Sequence, residues 1–78
     1  MAYGIRETRR QLRAMNGDLV LIGKRRHVPP NGRGYWLNIY RVELPGRKLH
    51  QIDEHHARMA SEPAVLQELI QSMTQEEA

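Results

Sequence analysis

The sequence predicts an α+β fold. It should form one small domain in which an antiparallel sheet of two or three strands lies with an N-terminal and a C-terminal helix, in the order α-β-β-(β)-α. Three observations carry that expectation. Two extended apolar runs, Leu19-Val20-Leu21-Ile22 and Tyr35-Trp36-Leu37-Asn38-Ile39-Tyr40-Arg41-Val42-Glu43-Leu44, flank a basic stretch and a turn rich in proline and glycine. Apolar residues recur at helical spacing over 5–15 and again over 65–73. A chain of 78 residues makes a single domain, 1–78, with a modest core, and leaves room for a homodimer.

The first helix is expected over 5–15. At about 100° per residue, Ile5, Thr8, Leu12 and Met15 share one stripe, while Arg6, Arg9, Arg10 and Arg13 share an arc beside it. Asn16-Gly17 suits the C-terminal end, because either residue accepts the left-handed conformation. Its start is open between Gly4 as cap and Thr8 with Gln11 as a capping box. Three arginines in the first turns oppose the helix dipole, which points to an external use for their charge; a solvated basic face is the plainer account.

The hairpin follows. Leu19 to Ile22 is apolar on both faces, which suits a covered strand. Asn31-Gly32 is a strong turn signal, since both residues accept the positive φ of a hairpin turn. In the second strand Trp36, Tyr40, Val42 and Leu44 fall on one face and Tyr35, Leu37 and Ile39 on the other. One face should cover the helices, with Trp36 as core in a chain that has no phenylalanine. The other, through Leu37 and Ile39, is expected to meet a partner or a second copy. Tyr35, beside the loop, is the aromatic expected to be exposed.

Pro45-Gly46 fits the centre of a type II turn. Beyond it, residues 47–52 read as a third strand, with a helix built on Leu49, Ile52, His56 and Met59 as the alternative. The last helix has Ser61 as cap, Glu62 and Pro63 in its first turn, and Val65, Leu66, Leu69, Ile70 and Met73 as its apolar arc. Glu76 and Glu77 oppose the dipole, so 75–78 should fray. Helix, strand, strand, strand and helix is an order similar to that of double-stranded RNA-binding domains, and the resemblance covers that order only. In that family the last helix offers a basic cluster at its start; here Ser61-Glu62-Pro63-Ala64 is acidic, so the resemblance gives no residue a role.

Charge is the main clue to function. Residues 1–48 carry eleven of the twelve Lys and Arg against three acids, whereas 49–78 carry one against six, so a net charge of +3 conceals a basic front and an acidic back. That asymmetry points to a nucleic acid or an acidic protein surface as partner, unless the halves neutralise each other. The densest patch is Lys24, Arg25 and Arg26 with His27 and Arg33 at the loop end of the hairpin, where strand alternation sends Lys24 and Arg26 one way and Arg25 and His27 the other. With Arg6, Arg9, Arg10, Arg13 and Tyr35 these are the candidate binding residues. They could equally guard a strand edge.

Catalytic signatures are missing. The chain has no cysteine, no glycine-rich phosphate loop and no nucleophile elbow, and His50, Asp53, Glu54, His55 and His56 match no metal-ligand spacing. The expectation is a non-enzymatic protein without cofactor or metal. No stretch approaches the ~20 apolar residues of a membrane span, and Arg6, Glu7, Arg9 and Arg10 stand where a signal peptide would be apolar, so a cytoplasmic protein with no membrane partner is expected. Two functions fit: a small nucleic-acid-binding protein that contacts phosphates, or a protein-binding inhibitor of the phage or plasmid accessory type, blocking a host protein through the hairpin.

Overall fold

The computed structural model describes residues 4–76. Its elements are α1 (Ile5–Ala14), β1 (Asp18–His27), β2 (Tyr35–Glu43), β3 (His50–Asp53), α2 (Glu54–Met59) and α3 (Pro63–Ser72). The three strands form one antiparallel sheet in the order β1-β2-β3, so β2 is central and the long hairpin is its main part. The α+β architecture with helices at both ends is therefore as the sequence predicts. The segment after the second turn forms strand β3, as the first reading expects, and α2 follows it directly; the alternative helix face does not form, since Leu49 and Ile52 precede α2 and Leu49 and Met59 are exposed.

Each helix closes against the sheet through the residues its periodicity selects. Thr8 and Leu12 of α1, Ala57 of α2, and Leu66, Leu69 and Met73 around α3 join Leu19, Tyr40, Val42 and Ile52 in one core. Gly4 is the N-cap of α1, which frees Thr8 to work elsewhere: its hydroxyl donates to the Ala57 carbonyl, in the last turn of α2, where helix carbonyls lack an intrahelical partner. One turn on, Gln11 Nε2 donates to the Ser61 carbonyl at 2.8 Å. Ser61 is thus a buried link between helices rather than the cap of α3, whose N-cap is Glu62.

Length decides what the core can reach. A ten-residue helix spans roughly 15 Å and a ten-residue strand roughly 33 Å, so α1 can shield less than half of β1. The distal half of β1 consequently runs past the end of α1, in a molecule measuring 44 × 32 × 19 Å. β1 is an edge strand of which only Leu19 is buried; Leu21, 52 % exposed, and Ile22 are open, against the expectation of a covered strand.

The first of the two turns departs from simple expectation. Neither Asn31 nor Gly32 takes a positive φ. Instead the strands are joined by residues 28–34, and the Gly32 N–H donates to the Pro29 carbonyl at 3.4 Å across a turn whose first central residue is Pro30, which presets φ for it. The second turn is as expected: Gly46 has φ 80° and the Arg47 N–H donates to the Leu44 carbonyl at 3.2 Å. That turn then captures the end of the chain. Lys48 N–H donates to the Thr74 carbonyl at 2.8 Å, Glu76 N–H donates to the Gly46 carbonyl at 3.0 Å, and Arg47 Nη1 reaches the Met73 carbonyl at 3.0 Å. Residues 75 and 76, expected to fray, are tied down; 77–78 lie outside the described residues.

Candidate nucleic-acid interface

The distal hairpin owes its two faces to a bulge. Pairing of β1 with β2 shifts between Leu21, opposite Tyr40, and Gly23, opposite Ile39, leaving Ile22 as the extra residue. Gly23 inside an otherwise regular strand is the sequence signal for it. Past the bulge, Lys24 opposes Asn38 and Arg26 opposes Trp36, on the face that carries Tyr40 and Ile52 further down. Arg25 opposes Leu37 and His27 opposes Tyr35 on the reverse face.

On the first face Lys24, Arg26 and Trp36 meet solvent. Trp36 shares a face with buried Tyr40 but stands four residues, about 13 Å, further along the strand. It is 60 % exposed, so the expectation of Trp36 in the core is corrected. The Arg26 guanidinium carbon lies 5.7 Å from the Trp36 ring centroid, within cation–π range. Behind it is Gly34, where a Cβ would come within 2.7 Å of Arg26 Nε and Nη2; the glycine makes room for the guanidinium. Lys24, Arg26 and Arg33 are exposed, and none of them meets a carboxylate among the described residues.

The reverse face is closed by its own side chains. Leu37 and Ile39, expected to form an interface, are 2 % and 7 % exposed. Arg25 opposes Leu37, Asp53 opposes Ile39, and these two charged side chains come within 3.7 Å of each other across the central strand, over the apolar pair. Tyr35 continues the cover. Its ring lies 5.2 Å from that of His27 and its hydroxyl 3.4 Å from His55 Nε2. Tyr35 is exposed as expected, yet His55 is a neighbour that the hairpin alone could not supply. His55 sits there because α2 takes over the edge of β2 where β3 stops, with the Glu54 carboxylate accepting from the Asn38 N–H at 2.9 Å.

The arginines of α1 are partly engaged. Arg9 Nε donates to the Leu19 carbonyl at 3.0 Å, Arg10 Nε to Glu7 at 2.8 Å, and Arg13 Nε to Asp18 at 3.1 Å. The Arg10 guanidinium holds the Glu7 carboxyl below its ordinary range, and Arg10 in turn is held more firmly protonated. Asp18 is lowered first by the Leu19 N–H it accepts and then by Arg13. Arg6 is exposed with no acidic partner among the described residues. Exposed pairs of this kind are screened by solvent, so a phosphate can compete for Arg10 and Arg13.

Neutralisation between front and back is slight. Of the ion pairs among the described residues, only Arg25 with Asp53 joins the two halves; the rest are local, such as Arg41 with Glu43 and Arg58 with Glu54. No group of three or more metal-capable side chains is assembled among the described residues. No helix among them is long and apolar enough to cross a membrane. Comparison with protein-family models, with curated proteins and with solved structures finds no match to the chain.

Proposed function

We propose that the protein is a small, non-enzymatic nucleic-acid binder that contacts phosphates chiefly through the distal end of its hairpin. The observation that carries this reading is the exposed set Lys24, Arg26 and Arg33 at the distal end of the hairpin, without a carboxylate partner among the described residues. Cations left uncompensated beside an exposed aromatic ring suit a polyanion, whose bound counterions they replace. Arg6, Arg10 and Arg13 add a secondary basic surface on α1, and Arg25 adds charge at the hairpin despite its 3.7 Å approach to Asp53.

The test is fluorescence anisotropy of labelled duplex DNA, duplex RNA and a single strand at two salt concentrations. Binding should weaken steeply with salt. Lys24→Ala with Arg26→Ala should flatten the log–log salt dependence by roughly one unit for each phosphate that is no longer neutralised. Absence of binding to all three at low salt would discard the reading.

A second reading has one observation in its favour. Leu21 and Ile22 are exposed on an edge strand next to Lys24, which suits an acidic protein that adds a strand there, as an inhibitor would. This reading also accommodates a homodimer through β1.

A further inference from the structure

Resting on the phosphate-binding reading above, the arrangement on the helix-side face of the distal hairpin says which form of nucleic acid suits it. Trp36 stands on a strand, 60 % exposed, with Arg26 at 5.7 Å from its ring centroid. The guanidinium occupies space that the absent side chain of Gly34 leaves open. Lys24 lies two residues from Arg26 on the same face, and Asn38 two residues from Trp36, opposite Lys24. An indole exposed in this way offers a π-surface beside the Arg26 guanidinium, with Lys24 further along the same face. Bases in a duplex already stack on one another and present only edges and phosphates, so such a surface is used fully only by a base that is not paired and stacked.

We propose that Trp36 and Arg26 form a stacking platform for an unpaired base, and that the preferred ligand is a single-stranded nucleic acid whose neighbouring phosphates meet Lys24, Arg26 and Arg33. The platform sits outside the core, so its occupation requires no rearrangement of the fold. Stacking of this type tolerates sequence, because every base has a π-face. The protein should therefore discriminate strand form more strongly than sequence.

Trp36 is the only tryptophan of the chain, so its fluorescence reports on the platform directly. The full chain is titrated with oligothymidylate, with an abasic phosphodiester strand of the same length, and with a duplex of the same length. Oligothymidylate should quench Trp36 and bind roughly 5- to 100-fold more tightly than the abasic strand. By anisotropy, Trp36→Ala should bring oligothymidylate down to the abasic level and Trp36→Phe should keep most of the affinity, with thermal melting unchanged in both.

Equal binding of the thymidylate and abasic strands, or tighter binding of the duplex, would overturn the platform and leave the phosphate reading standing. No binding of any of the three would remove both. Displacement of oligothymidylate by polyglutamate at equal charge would also overturn the platform, showing a surface that takes any polyanion, an acidic protein included. Should Trp36→Ala melt early, the abasic comparison on the unmodified chain still decides.

Discussion

Small residues carry disproportionate weight in this fold. At Gly17 an added Cβ would stand 2.2 Å from the Glu43 carbonyl oxygen and 2.7 Å from the Leu44 side chain, and a backbone atom cannot step aside cheaply. Gly17→Ala should therefore lower stability by about 1–3 kcal/mol in urea denaturation, through overpacking where α1 hands over to β1. Thr8 makes the opposite argument. It is fully buried, and Thr8→Val keeps the shape but strips the Ala57 carbonyl of its hydroxyl donor. The expected drop in stability is about 1–3 kcal/mol, read by the same method. Thr8 was legible as part of the apolar stripe of α1, but not as the tie between two helices, because a hydroxyl's distant partner leaves no trace in local periodicity. Trp36 shows the converse. Its size and face argue for core, and its place four residues beyond Tyr40 on the strand leaves it in solvent.

Among the elements, those with strong periodicity follow the sequence closely. The apolar arc of α3 puts Leu66, Leu69 and Met73 in the core, and the Pro45-Gly46 turn forms where its residues require it. What the pattern could not show is how short elements complete each other. β3 is only four residues long, and the Glu54 carboxylate stands in for the next rung by accepting from Asn38. The pairing of 74–76 with 46–48 is equally invisible to a reading that treats the end of a helix as the end of structure. The bulge at Ile22 is the element-scale feature with the clearest test. Ile22 is exposed and unpaired in register, so Ile22→Lys should change stability by less than about 0.5 kcal/mol in urea. If the edge of β1 mediates a homodimer, the same substitution should convert dimer to monomer in sedimentation. An early melt would mean instead that the bulge is part of the fold's support.

For the whole molecule, the division of charge has consequences for pH and for change over time. Glu7 and Asp18 have carboxyls held below their ordinary values, so each contributes stability that is present above the unfolded-state pKa of about 4 and is lost as pH falls through the folded-state value. Urea midpoints should decline below about pH 4, and Glu7→Gln with Asp18→Asn should flatten that decline. The basic front and acidic back were legible from composition alone; that they stay largely separate was not, since it depends on Arg25 being the one cation that crosses to an acid of the other half among the described residues. The long hairpin finally separates two kinds of constraint. Leu19, Tyr40 and Val42 at its base are held by the core, while Lys24, Arg26, Arg33 and Trp36 at its far end are exposed. Substitutions at the base are screened by folding, and those at the far end only by what they bind. A lineage of such proteins can therefore exchange one ligand for another by drift in a handful of positions while the body stays intact, and the same property makes the far end a graft site for an engineer.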